Sequence, residues 1–121
     1  MTQLAITSRD AATGPVLEIT GDLDHATASE LRRAVDNLTL AAGQLLVLDL
    51  AGLNFCDSSG ITSLLAARNL AIERSSDIAL AAVPDNTARI LRVVGLDRVF
   101  TIHPDASAAT TVELHRVTRP Q

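Results

Sequence analysis

The sequence predicts an α/β fold: one domain with a small, mostly parallel β-sheet, an antiparallel edge strand and about four helices, ordered ββαβαβαβα. Three observations predict it. Two short apolar runs flank the turn-forming stretch D-A-A-T-G-P near the N-terminus, the mark of a hairpin. Leu45–Leu50, L-L-V-L-D-L, is almost continuously apolar, as a strand covered on both faces is. Beyond it, strand-like runs alternate with stretches whose apolar residues recur every three or four positions. That alternation favours parallel strands joined by right-handed crossovers.

Each element has its own warrant. Leu4–Thr7 and Val16–Thr20 form the expected hairpin. Thr27 and Glu30 have capping-box spacing, and Ala28, Leu31, Val35 and Leu38 make one apolar helix face, with Gly43 expected just past the helix end. After the strand at Leu45–Leu50, Ile61, Leu64, Leu65 and Ile72 are expected to share the inner face of a second helix. Ile78–Val83 reads as a strand ended by Pro84. Asn86–Val94 reads as a helix with Ile90, Leu91 and Val94 inward and Gly95 as its stop. Val99–Ile102 is the last strand, and Asp105 can cap a final helix reaching about His115. The 121 residues fit one domain, spanning 1–121, with an ordered core of about residues 3–116 and a frayed tail.

Composition excludes several classes of function. Hydrophobic residues make up 47% and charged residues 20%, a mix that folds. Phe55 and Phe100 are the only aromatic residues, so the core is aliphatic and base stacking on single-stranded nucleic acid has no platform. The net charge is −4 and the arginines are scattered apart from Arg32 and Arg33, so no basic stripe faces a phosphate backbone. Cys56 stands alone, which rules out an intrachain disulfide. The three histidines are unclustered and no glycine-rich phosphate loop is present, so neither metal nor cofactor is expected. The chain starts without a basic n-region or apolar h-region, and no apolar run approaches the ~20 residues of a membrane span. A cytoplasmic, soluble protein, monomeric or weakly dimeric, with no nucleic-acid or membrane partner, is the expectation.

Chemistry concentrates at L-N-F-C-D-S-S-G-I, Leu53–Ile61, where a buried strand turns into a helix. Such a turn presents hydroxyls and backbone N–H groups at the positive end of a helix dipole. Ser58 is there either as an N-cap or as a hydroxyl that accepts a phosphate. Ser59 reads as structural, Asp57 as a cap that stiffens the loop, and Gly60 as a site of close backbone approach. Asp22 and Asp24 follow the second strand, and parallel pairing places Asp24 on the same sheet edge as Ser58. Asp24 is either a turn residue or part of the site. A Ser58–His25–Asp24 triad can be drawn, but adjacent His and Asp suit relay geometry poorly and no G-x-S-x-G elbow is present. Cys56 is expected to pack inward.

Taken together, G-D-L-D-H-A-T-A-S-E-L (Gly21–Leu31), L-D-L-A-G-L-N-F-C-D-S-S-G-I (Leu48–Ile61) and V-G-L-D-R-V-F (Val94–Phe100) resemble the STAS domain family, in particular the bacterial anti-sigma-factor antagonists. The resemblance spans essentially the whole chain. It implies a binding module, not an enzyme, with Ser58 as the phosphorylated residue and Asp24 as the family's important acidic residue. The implied partner-binding surface comprises Asp22, Asp24, Asp57, Ser58, Ser59, Gly60 and Thr62. The implied partner is a GHKL-type serine kinase that also sequesters a sigma factor. Unphosphorylated antagonist binds it and frees the sigma factor, phosphorylation releases the antagonist, and a PP2C-type phosphatase resets the cycle. The alternative is a STAS subunit of a transporter complex, docking on its ATPase. The chain departs from the family pattern at I-T-S-L-L after Gly60, where many members carry further glycine.

Overall fold

A computed structural model describes residues 3–111. Its elements are β1 (Ala5–Ala11), β2 (Gly14–Leu23), α1 (Ala28–Asp36), β3 (Leu45–Cys56), α2 (Ser58–Glu73), β4 (Asp77–Ala81), α3 (Asp85–Val93), a 3-10 turn (Leu96–Arg98), β5 (Thr101–His103) and α4 (Ala106–Thr110). The expected order is present, with the 3-10 turn as an addition. The expected extension of the last helix to His115, and the tail beyond it, lie outside the described residues.

The five strands lie in chain order, β1-β2-β3-β4-β5. The first pair is antiparallel and the other three are parallel. Alternation along the strands sorts the apolar side chains into two layers. Leu17, Ile19, Leu46, Leu48, Leu50, Ile78 and Leu80 face α1, α2 and α3 and form the main core with Leu31, Val35, Leu64 and Leu91. Val16, Val47 and Ala81 point the other way, onto Ala106 and Ala109 of α4. A strand covered on both faces is thus what Leu46–Leu48 form, as their unbroken apolar run requires.

Several boundaries differ from expectation. β2 and β3 run on to Leu23 and Cys56, because two register shifts let the longer β3 keep pace with β2 past Gly52. Asp22 therefore lies inside β2, opposite Phe55, rather than after it. The capping box is absent: Thr27 has helical backbone angles and no side-chain cap bond. Its hydroxyl instead donates to the Asp22 carbonyl at 2.7 Å and accepts from the Asp24 N–H at 2.9 Å. Gly43 does not stop α1, which ends at Asp36, seven residues earlier; Gly43 turns the chain into β3, its N–H donating to the Ser75 carbonyl. Ile72 is 48% exposed, because the buried stripe of α2 runs through Leu64, Ala67 and Ala71, one position away. Val94 is 55% exposed, since α3 ends at Val93 and the chain turns outward at Gly95 with a left-handed φ of 81°. Gly95 acts as the helix stop that the sequence indicates. Asp105 caps α4 as expected, its carboxylate accepting the Ala108 N–H at 2.7 Å.

Candidate functional site

The ends of β2 and β3 build the site. The register that sets Leu23 opposite Cys56 brings the β2–α1 loop and the β3–α2 turn side by side at one sheet edge. The Asp57 N–H donates to the Leu23 carbonyl at 3.3 Å and ties them together. The common edge expected for Asp24 and Ser58 is therefore present, with a β-ladder as its cause.

Asp57 is the N-cap of α2. Its backbone is extended and its Oδ1 accepts the Gly60 N–H at 3.0 Å. Asp57, not Ser58, therefore holds the cap position. With Asp57 capping, Ser58 is the first helical residue and has no N–H group to cap. Ser58 is exposed, and among the described residues its hydroxyl makes no hydrogen bond; its carbonyl accepts the Thr62 hydroxyl at 3.0 Å. A free, solvent-facing hydroxyl on a rigid helix start is what a phosphate-transferring enzyme can reach.

Gly60 is buried, and the space over its Cα is filled. A Cβ there would lie 2.4 Å from the Leu23 carbonyl oxygen and 2.6 Å from Cys56 Sγ. Gly60 therefore sets how closely α2 seats against β2, and offers no surface itself. Cys56 packs inward, 5% exposed. Burial, and secondarily the Asp57 carboxylate, pushes its thiol up to about 12. The thiol is inert at neutral pH.

The Asp24 carboxylate is engaged locally. Its Oδ1 accepts the N–H groups of Ala26 at 2.9 Å and Thr27 at 3.2 Å. Asp24 thus shapes the turn into α1. Its other carboxylate oxygen makes no hydrogen bond among the described residues.

Two grooves flank the start of α2, and the two serines open onto different ones. Ser58 borders an apolar groove of about 280 Å³ lined by Ile61, Thr62, Ile90, Val94 and Leu96, between α2, α3 and the 3-10 turn. Ser59 borders a polar groove of about 360 Å³ between α1 and α2, shared with His25, Ser29, Arg32, Thr62 and Ser63. This geometry leaves the Ser58–His25–Asp24 triad unassembled: His25 belongs to the groove of Ser59, and the Asp24 carboxylate is held in its own turn. Val94, Leu96 and Ile90 are the site residues that the sequence reading missed. The V-G-L-D motif was the available signal, because a glycine stop just after an apolar helix end turns the residues around it outward.

The fold and site define a class: a small α/β domain whose exposed serine begins a helix beside an apolar groove. The comparisons then supply the family. The family model described as Mlab, STAS domain matches residues 6–104. The anti-sigma-F factor antagonist RsfB of Mycobacterium tuberculosis is 30% identical over 108 residues, covering 89% of this chain and 88% of that protein. An anti-sigma factor antagonist from Mycobacterium paratuberculosis superposes with a TM-score of 0.77 at 24% identity, covering 88% of this chain and 91% of that one. A sulfate transporter family protein from Wolinella succinogenes superposes with a TM-score of 0.69 at 17% identity, covering 78% of this chain and 80% of that one. The chain belongs to the STAS domain family.

Among the described residues, no helix is long and apolar enough to cross a membrane, and no three His, Cys, Asp or Glu side chains gather into a metal-binding group.

Proposed function

We propose that this protein is an anti-sigma-factor antagonist switched by phosphorylation of Ser58. The observation that carries the reading is the free Ser58 hydroxyl at the rim of the apolar groove formed by Ile61, Ile90, Val94 and Leu96. A partner seated in that groove lies over Ser58. The antagonist names of its relatives support the antagonist role.

In this reading the partner is an anti-sigma factor that is also a serine kinase of the GHKL type. The unphosphorylated antagonist docks by its groove and displaces the sigma factor. The kinase then transfers the γ-phosphoryl group of ATP to Ser58: the Ser58 Oγ–P bond forms, the bond to ADP breaks, and the hydroxyl proton passes to a kinase base. The new charge expels the antagonist, and a PP2C-type phosphatase restores the hydroxyl. Asp22, Asp24, Asp57, Ser59 and Thr62 frame the docking face. The protein itself contributes a surface and an acceptor, not catalysis.

Incubation with ATP and the GHKL-type kinases of its source organism, read by intact mass and fragment ions, tests the reading. One phosphate on Ser58, absent from Ser58→Ala, is the expected result. Phosphate on Ser59 or another residue overturns the site assignment. No phosphate from any kinase, with retention of a transporter ATPase on immobilised protein, overturns the antagonist function in favour of a transporter subunit.

A further inference from the structure

A bulge in β3 turns Phe55 out of the core. Leu53 packs inward, so strict alternation along the strand would bury Phe55 and expose Cys56. The ladder instead passes from Gly21–Leu53 to Asp22–Phe55, and Asn54 is left as an extra residue with no partner on β2. Beyond it the faces are exchanged: Cys56 is 5% exposed and Phe55 51%. The chain has two aromatic residues, and the other, Phe100, is buried. A bulge thus places one of two aromatic rings in water, three residues before Ser58. Bulges beside functional sites serve to re-aim a side chain in this way.

The ring stands on the sheet face opposite α2. Asp22, its ladder partner, and the next pair, Thr20 and Gly52, lie on that same face. α4 covers only the far end of the face, at Val16, Val47 and Ala81. Around Phe55 the floor is low. Gly52 has no side chain, and the Thr20 methyl fills the space over it, 2.3 Å from where a Cβ would stand. The surroundings are acidic: Asp22, Glu18 and Asp49 share the face, and among the described residues only Glu18 of the three is ion-paired, with Arg9. An apolar ring on an acidic ledge fits a partner surface with an apolar pocket rimmed by basic groups. The ledge is continuous with the docking face of the switch, since Cys56 and Asp57 alone separate Phe55 from Ser58.

We propose that Phe55 anchors the kinase partner, an inference that rests on the function proposed above. The partner holds the carboxyl end of β2 and β3 from both sides. One part fills the apolar groove between α2 and α3; another closes over the Phe55 ring on the strand face. Because the sheet stands between Phe55 and α2, the ring contributes binding and takes no part in phosphoryl transfer.

The test uses the whole protein and the GHKL-type kinase that modifies Ser58, with steady-state phosphorylation and calorimetric binding measured on the same variants. Phe55→Ala should weaken binding about tenfold or more and raise KM to match, with kcat unchanged. Phe55→Leu keeps most of the apolar area and should stay within about threefold of the parent. Ile72→Ala, at a residue of similar exposure on α2, should bind as the parent does. Phe55→Gln keeps the length of the side chain and should repeat the loss in Phe55→Ala, which separates lost contact from any lost fold. Parental affinity and KM in Phe55→Ala, or a fall in kcat alone, would overturn the anchor and leave the function standing. A dimer in sedimentation that Phe55→Ala dissolves, with kinase affinity unchanged, would give the ring to a second copy of this chain and overturn the proposal as well. No phosphate on Ser58 from any kinase would overturn the underlying function, and the anchor with it.

Discussion

Asp57 and Ser58 divide two roles that one residue at a strand-to-helix turn often combines. A capping carboxylate spends its lone pairs on backbone N–H groups, which leaves the next side chain free. Asp57→Ala should therefore cost about 1 kcal/mol of stability, in the range usual for a lost N-cap. Ser58→Ala should shift the melt by far less, because an exposed, unbonded hydroxyl holds nothing together. Thermal denaturation of the two variants separates these outcomes. Asp24 calls for a different pair of variants. Asp24→Asn keeps an acceptor for the Ala26 and Thr27 N–H groups, whereas Asp24→Ala removes it. If the charge serves the partner, as the family pattern implies, Asp24→Asn should melt like the parent and still bind or accept phosphate less well. Parental binding and transfer in Asp24→Asn would limit the residue to its turn. Cys56 offers a check on packing. With its thiol at about 12, about one in ten thousand molecules carries a thiolate at pH 8. An aromatic disulfide reagent should leave the native protein unlabelled and label it fully in denaturant. Since the folded state holds this proton more tightly than the unfolded chain, the Cys56 contribution to stability is whole below pH 9 and falls as pH rises toward 12. At this scale the sequence was informative where local chemistry decides: Asp57, Ser58 and Gly60 could be picked out from D-S-S-G. Asp57 was legible as a cap and is one; whether Ser58 also caps could not be read, because both Asp and Ser cap well.

Helices and strands show why boundaries were harder than elements. Periodicity locates a helix, but the face that meets the sheet depends on the neighbouring helices. Ile72 continues an apolar stripe in sequence, yet the small residues Ala67 and Ala71 are the ones pressed inward, where α2 lies close to the sheet. Likewise β3 looked finished at Leu50 because Ala51 and Gly52 break its apolar run; only the paired strand shows that register shifts carry it to Cys56. Arg74 is a contact that no local pattern announces. From the end of α2, its guanidinium donates to the carbonyls of Val35, Asp36 and Leu38, closing the C-terminal end of α1 at distances of 3.0–3.2 Å. Arg74→Ala should destabilise the protein by about 1.5–3 kcal/mol, the range for hydrogen bonds to a charged donor. Arg74→Lys should recover only part of that, because an ammonium lacks the fork that spans three acceptors. Gly60→Ala should also cost about 1–3 kcal/mol, because the added methyl meets the Leu23 carbonyl and Cys56 with no room to relax. Urea denaturation of these variants reads both effects, and a parental midpoint for Gly60→Ala would show that α2 is less tightly seated than described.

At the scale of the whole molecule, the proposed switch at Ser58 needs no refolding. A phosphate on Ser58 adds about −1.5 to −2 charge at pH 7. The first turn of α2 favours that charge, since its unpaired N–H groups and dipole are positive there. Asp57, in the adjacent position, opposes it. These opposing influences act on a side chain already in solvent, so the fold beneath is left as it was. A docked partner meets a different situation: the phosphate stands at the rim of an apolar groove, and binding must strip it of water. A penalty of about 2.8 kcal/mol is enough for a hundredfold loss of affinity. The most direct test compares phosphorylated and unphosphorylated protein in two measurements on the same samples: affinity for the cognate kinase by calorimetry, and the circular dichroism melt. The expected result is an affinity lower by about a hundredfold or more with an unchanged spectrum and a melting temperature nearly the same. Unaltered affinity, or a large change in the spectrum on phosphorylation, would contradict a switch that works by charge at a fixed surface.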